Sequence, residues 1–137
     1  MLIKKMYQEQ NIEAIYFVDE CVPPEILIKV ANFLIENNIK IKWMVETRID
    51  SKLLDNKVAE LLYKSGCREI SFGIESYNKR ILEDMNKQID LNIAKKVMKN
   101  FYETGISVSA TFMIGYPTEN IFNIFRTLRF ITKFKYI

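Results

Sequence analysis

Histidine is missing from this sequence, and cysteine, glycine and proline are scarce. Without histidine the chain has no imidazole to act as a general base, to bind a metal ion or to complete a catalytic triad. The two cysteines, Cys21 and Cys67, form no CxxC pair, so they predict neither a zinc site nor a disulfide framework. Four glycines and three prolines leave no flexible linker and no low-complexity segment.

Long apolar runs are also absent. No segment approaches the roughly 18 apolar residues of a membrane-spanning helix. The chain starts with MLIKKMYQEQ, which is charged and is not followed by the apolar stretch of a signal peptide. We therefore expect a cytoplasmic protein without a membrane span. The net charge of +3 is too small to indicate a nucleic-acid partner, because such a surface needs basic residues clustered on one face.

The residues that are present predict one domain of alternating strands and helices. A chain of 137 residues, 49% hydrophobic and 27% charged, is large enough for one core and too apolar for disorder. Segments rich in branched and aromatic residues predict strands at 13–18, 41–48, 69–74 and 107–114. Segments with apolar residues at helical spacing predict helices at 23–38, 55–66, 78–85 and 90–105. Asp55 and Asp90 are suited to cap two of these helices, and Gly66 and Gly105 to end them.

This alternation predicts the fold class. Strand and helix recur at about 30 residues per unit, which is typical of βαβ units with right-handed crossovers and a parallel sheet. Along the third and fourth strands apolar residues alternate with small polar ones, so one face of the sheet is polar, whereas helices on both faces would need two apolar faces. We predict an α/β fold, a partial (β/α) barrel of about four βα units, because a complete barrel takes about 250 residues.

Polar residues stand at the carboxyl end of each predicted strand. In chain order they are Asp19 and Glu20, Glu46 and Arg48, Glu75 and Ser76, and, in the segment GYPTEN, Gly115 and Glu119. The carboxyl ends of parallel strands share one edge of a sheet, and functional groups in such folds gather there. The sequence therefore predicts a binding site at this edge.

Simpler interpretations of these residues stay open. Asp19 and Glu20 would also suit capping of the helix that follows them, since anions favour helix amino termini. Arg48 would suit a structural ion pair with a neighbouring carboxylate. The segment GYPTEN by itself favours an ordinary turn into a capped helix.

The tail and the cysteines are given structural interpretations. The tail IFNIFRTLRFITKFKYI, with Arg126, Arg129 and Lys133 on one side, fits a helix on a membrane surface, but the outer helix of a barrel is the favoured interpretation.

Cys21 is predicted just past the carboxyl edge and Cys67 before its strand, at the opposite end. A strand's length separates them, so they share neither a disulfide nor a metal, and Cys67 is expected to be buried.

Four motifs follow one another along the chain: IYFVDE, IKWMVETRID, LLYKSGCREISFGIESYNKRILEDMNK and GISVSATFMIGYPTEN. Their order and spacing over residues 1–125 resemble the radical S-adenosylmethionine (radical SAM) barrel, in particular the branch that often carries a cobalamin-binding domain ahead of it. The resemblance implies that residues 1–137 form a partial radical SAM core domain, truncated at both ends. It implies S-adenosylmethionine as the cofactor, and cobalamin only through an N-terminal domain that is missing here.

The resemblance also implies cofactor-binding roles for the residues at the carboxyl edge. Asp19 and Glu20 would lie near the methionine moiety, Glu46 and Arg48 on a strand facing cofactor and substrate, Glu75 and Ser76 at the ribose or carboxylate, and Met113, Gly115 and Glu119 beside the adenine. In the family a CxxxCxxC loop after the first barrel strand holds a 4Fe–4S cluster through thiolates. This sequence has no such loop, so we predict neither a metal ligand nor a catalytic residue in it.

Three functions are compatible with these observations. The favoured one is an internal part of a radical SAM enzyme that binds S-adenosylmethionine and, when complete, uses the cluster to generate a 5′-deoxyadenosyl radical. By itself it would be inactive, and its partner would be the missing portion of its barrel as a separate chain. The second is a non-catalytic α/β nucleotide- or protein-binding module derived from such a barrel. The third is another barrel enzyme with Glu20 and Glu75 as an acid–base pair. Open sheet edges predict marginal stability or association.

Overall fold

The computed structural model describes residues 2–19 and 21–137. It contains four strands, β1 (Ala14–Phe17), β2 (Lys42–Thr47), β3 (Cys67–Glu75) and β4 (Ser107–Phe112). The helices are α1 (Leu2–Gln10), α2 (Pro24–Glu36), α3 (Asn56–Lys64), α4 (Lys79–Asp84), α5 (Leu91–Thr104) and α6 (Ile121–Lys133), with a 3-10 turn at Ser51–Leu54. Each predicted strand overlaps an observed one.

The four strands form one parallel sheet in the order β1-β2-β3-β4. Within the described chain, β1 and β4 each pair on one side only, so the sheet is not closed. The helices between the strands make the crossovers that parallel pairing requires. The prediction of an α/β fold with about four βα units of an open barrel is therefore confirmed.

Local sequence explains where the helices begin and end. Asp55 accepts a hydrogen bond from the Lys57 backbone N–H and thereby caps α3, and Asp90 caps α5 in the same way. Gly66 and Gly105 follow the helix ends with φ of +104° and +96°, a conformation that glycine adopts without steric cost.

The predicted alternation in β3 is confirmed and gives the sheet two different faces. Ile70, Phe72 and Ile74 are fully buried against the helices, while the intervening positions are only half-buried on the other face. The apolar side of the sheet joins one core that includes Trp43, whose ring meets Phe17 edge to face at 5.8 Å. The polar face is consequently free to line a site.

Two strand ends differ from the sequence-based boundaries. β3 begins at Cys67, which was predicted to precede it, because Cys67 is buried and pairs with Trp43 in the ladder. β4 ends at Phe112, two residues before the predicted end, and Met113 is exposed. The reason is a bulge in β3 between Gly73 and Glu75, which shifts the register against the last residue of β4.

The tail forms α6 and packs on the outside of the sheet, as favoured from its sequence. Its Phe130 is buried and stacks on Tyr77, with ring centroids 4.0 Å apart. Phe122 and Phe125 of the same helix are 79% and 62% exposed. Among the helices of residues 2–19 and 21–137, none has both the length and the apolar character needed to cross a membrane.

Candidate functional site

A cavity of about 320 Å³ opens on the polar face of the sheet at its carboxyl edge. Its lining comes from the ends of three strands, from the segment after β1 and from the segment after α4. These residues are Cys21, Glu46, Thr47, Arg48, Ser71, Gly73, Glu75, Lys87 and Thr111. Three of the predicted site residues, Glu46, Arg48 and Glu75, are thus brought together.

Two buried hydrogen bonds attach the segment after β1 to the end of β2. The Thr47 hydroxyl donates to the Val22 carbonyl at 2.6 Å, and the Val22 N–H donates to the Glu46 carbonyl at 3.3 Å. This connection places the exposed thiol of Cys21 at the cavity. Cys67 lies at the far end of β3, and its burial raises the pKa of its thiol to about 12.

Glu46 has a partner on the neighbouring strand. The Tyr16 hydroxyl donates to Glu46 Oε1 at 2.9 Å, and this hydrogen bond raises the pKa of Tyr16 above its ordinary value. Tyr16 and Glu46 belong to adjacent parallel strands, so the contact crosses the ladder between β1 and β2. It orients the Glu46 carboxylate beside the cavity.

Glu75 forms the ion pair of the cavity. Lys87 Nζ lies 2.7 Å from Glu75 Oε1, and the two side chains are only 28% and 19% exposed. Arg48, by contrast, is exposed and pairs with neither Glu46 nor Glu75, so the structural ion pair considered for it does not form. The cavity therefore contains one neutralised carboxylate and a guanidinium without an ion-pair partner in the described chain.

Gly73 keeps space open between these groups. A Cβ atom at Gly73 would lie 3.2 Å from Glu75 Oε1, 3.7 Å from Lys87 Nζ and 3.8 Å from Thr111 Oγ1. The side chain of any larger residue at this position would therefore occupy part of the cavity. Glycine in a strand interior often marks such a close approach.

None of the other predicted residues that the structure describes lines this cavity. Asp19 is exposed after β1. It is not the capping residue of α2, because the N-cap of that helix is Pro23, which has no side-chain capping bond. Glu20 lies outside the described residues, so its role and its pairing with Glu75 stay predictions. Ser76 is fully buried, and its hydroxyl has no hydrogen-bond partner in the described chain.

The GYPTEN segment forms a turn into a capped helix, as its sequence alone favoured. Glu119 N–H donates to the Tyr116 carbonyl at 2.7 Å, and Asn120 caps α6. Gly115 has φ of +91°, its N–H donates to Glu119 Oε2 at 2.7 Å, and no atom lies within 4 Å of the position of a Cβ. Glu119 Oε1 is enclosed without a partner in the described chain. Open space beside backbone is therefore available at this turn.

Sequence reasoning missed Lys87. Lys87 is twelve residues from Glu75 and reaches it from the segment after α4. One local signal existed: Asn86 follows the helix, and asparagine after a helix commonly adopts the left-handed conformation that ends it. Asn86 indeed has φ of +53°.

The donor set fits a polar organic ligand and does not fit an iron–sulfur cluster. Carboxylates, a guanidinium and an ammonium can pair with a ligand that carries both charges and hydroxyl groups. A 4Fe–4S cluster needs several thiolates close together. The chain has two cysteines, one exposed at the cavity and one buried at the far end of β3. Residues 2–19 and 21–137 contain no group of three His, Cys, Asp or Glu side chains that could hold a metal ion.

Comparison with known proteins finds one matching family model and several similar proteins. The model of the Radical SAM superfamily matches residues 3–131. An uncharacterized methyltransferase of Pyrococcus horikoshii is 27% identical over 130 residues, covering 93% of this chain and 28% of the relative. A putative methylthiotransferase of Methanocaldococcus jannaschii is 29% identical over 107 residues, covering 78% of this chain and 23% of the relative.

Solved structures share the fold. The cobalamin-dependent S-adenosylmethionine radical enzyme OxsB, with aqua-cobalamin bound, superposes with a TM-score of 0.75 at 19% identity, over 94% of this chain and 20% of its own. The radical S-adenosylmethionine methyltransferase TsrM from Kitasatospora setae gives 0.76 at 14% identity, over 95% of this chain and 27% of its own. The chain spans between 17% and 28% of the length of the first curated relatives it matches.

Proposed function

Because this chain belongs to the Radical SAM superfamily, we propose that its cavity binds S-adenosylmethionine as part of a radical SAM enzyme core. The observation that supports this most directly is the mixed charge of the cavity: Glu75 and Lys87 lie beside the space left by Gly73, and Arg48 lines the same cavity. S-adenosylmethionine carries an ammonium, a carboxylate, a sulfonium and a ribose diol, which such a set can pair with. The cavity volume of about 320 Å³ lies at the lower end for ligand sites.

The positions of several residues support a role for each in the proposed site. Glu75 would accept hydrogen bonds from the ribose or the ammonium, and Arg48 would pair with the carboxylate. The open space beside the Gly115 backbone would admit the adenine. Glu119 Oε1, which is enclosed without a partner in the described chain, supports a ligand at this edge, because buried polar atoms are rarely left unpaired. Asp19, Glu20, Glu46 and Met113 complete the proposed set.

The electron for reductive cleavage of S-adenosylmethionine in this family comes from a 4Fe–4S cluster, whose thiolates the two cysteines of this chain do not supply. We propose that the complete core, including any cobalamin-binding domain, involves further polypeptide. The open edges of β1 and β4 and the exposed Phe122 and Phe125 of α6 support a partner that continues the barrel.

A non-catalytic binding module is the second candidate, and the separation of Cys21 from Cys67 favours it. Calorimetric titration of the 137-residue chain with S-adenosylmethionine distinguishes a site for this cofactor from a module that binds a different ligand. We expect saturable binding and about tenfold weaker affinity in Glu75→Gln, which removes a charge-assisted hydrogen bond. Glu69→Gln is the matched control, since Glu69 lies on the same strand and face at the opposite end. No binding at about millimolar ligand would reject S-adenosylmethionine as the ligand.

Cys21 offers an independent readout of the same site. Its thiol is exposed at the cavity, whereas Cys67 is buried. Iodoacetamide should therefore alkylate Cys21 alone in the folded chain, and saturating S-adenosylmethionine should slow that reaction several-fold. Peptide mass spectrometry after timed quenching measures both rates. An unchanged rate at Cys21 under saturating ligand would place the ligand away from this cavity.

A further inference from the structure

The end of α4 directs Lys87 toward the sheet. Asn86 N–H donates to the Glu83 carbonyl at 2.9 Å, and Lys87 N–H donates to the Leu82 carbonyl at 2.8 Å. With Asn86 in the left-handed conformation, these two bonds make the Schellman motif that closes many helices. Lys87 is the last residue of this motif, and the turn fixes the direction in which its side chain leaves the helix.

Glu75 is held in an unusual backbone conformation opposite Lys87. Its φ is +66°, a value that residues with a side chain rarely adopt. The bulge after Gly73 and the hydrogen bond from Met113 N–H to the Glu75 carbonyl, at 2.8 Å, enforce this conformation. Backbone strain of this kind persists where the surrounding structure imposes it, and it concentrates at ligand sites.

We infer that Lys87 is a positioning residue, which acts on the ligand by holding the Glu75 carboxylate in the cavity. The inference rests on the proposed binding of S-adenosylmethionine. Lys87 Nζ donates a hydrogen bond to Glu75 Oε1, whereas Glu75 Oε2 accepts no hydrogen bond within the described chain. Oε2 is therefore the oxygen presented to a donor of the ligand. Without the ammonium, the carboxylate would rotate freely in the space that Gly73 leaves beside it.

A purely structural ion pair would behave differently. It would join the segment after α4 to β3 and affect unfolding alone. A positioning role instead makes the effect of Lys87 on ligand affinity depend on Glu75. It also requires a cation at position 87, since arginine can form the same pair with a carboxylate.

A double-mutant cycle in S-adenosylmethionine binding tests the inference. We expect Lys87→Met to weaken binding about tenfold and Lys87→Arg to stay within about threefold of the natural chain. In a Glu75→Gln background, Lys87→Met should change affinity by less than about twofold. Lys79→Met is the matched control, because Lys79 forms an exposed ion pair with Glu83 in α4. Circular dichroism confirms that each variant is folded.

Different results overturn different proposals. Natural affinity in Lys87→Met, or the same tenfold loss in both backgrounds, would refute positioning through Glu75 while leaving ligand binding intact. Failure of Lys87→Arg to recover affinity would likewise refute it. A natural chain that does not bind S-adenosylmethionine at all would overturn the proposed function, and the positioning role with it.

Discussion

Replacing Gly66 by alanine is expected to destabilise the fold by about 4 kcal/mol or more, which is among the largest effects of single substitutions. An added Cβ would lie 2.0 Å from the Ile41 carbonyl oxygen, and φ at Gly66 is +104°. Relief requires the backbone to move, and that movement would break the hydrogen bond from Trp43 N–H to the Gly66 carbonyl, which is 3.0 Å long. Thermal and urea unfolding measure the loss, and we expect a melting temperature lower by about 15 °C.

Gly115→Ala is the control for this prediction. Gly115 also has a positive φ, but no atom lies within 4 Å of the position that its Cβ would take. It should therefore show only the conformational cost of a left-handed residue, about 1 kcal/mol. The difference between the two variants isolates the collision with Ile41. Equal losses would contradict the idea that α3 and β2 are in contact through Gly66.

The features that depend on short stretches of sequence could be predicted. The strands contain branched and aromatic residues in alternation, so β3 shows its apolar and polar faces in the letters EISFGIE. Asp55 and Asp90 cap the helices in which they were recognised, because a cap depends on residues two or three positions away. The parallel arrangement followed from the alternation of these elements.

The features that depend on pairing between distant segments could not be predicted. The bulge in β3 exists only in register with β4, and it changes the direction of the chain at Glu75. Ser76 therefore packs inward with its N–H bonded to the Ile74 carbonyl at 2.8 Å, although its position suggested that it faced the cavity. Lys87 reaches Glu75 only because the short helix α4 ends where it does.

Replacing Gly73 by valine is expected to weaken S-adenosylmethionine binding about a hundredfold, or about 2.7 kcal/mol, while leaving the fold nearly unchanged. Gly73 has no positive φ, and valine suits a strand, so the backbone accepts it. Its methyl groups would extend from a Cβ that already lies 3.2 Å from Glu75 Oε1. They would occupy the cavity and displace the carboxylate from Lys87. Calorimetric titration measures the affinity, and thermal unfolding measures the stability.

Ser109→Val is the control for Gly73→Val, because Ser109 is on β4 outside the cavity lining. It should bind S-adenosylmethionine as the natural chain does. The pair distinguishes filling of the cavity from a general loss of polar surface on the sheet. If Gly73→Val bound the ligand with natural affinity, the cavity at Glu75 would be the wrong site even in a chain that binds S-adenosylmethionine. Loss in both variants would instead indicate that the ligand contacts the polar face more widely than the cavity.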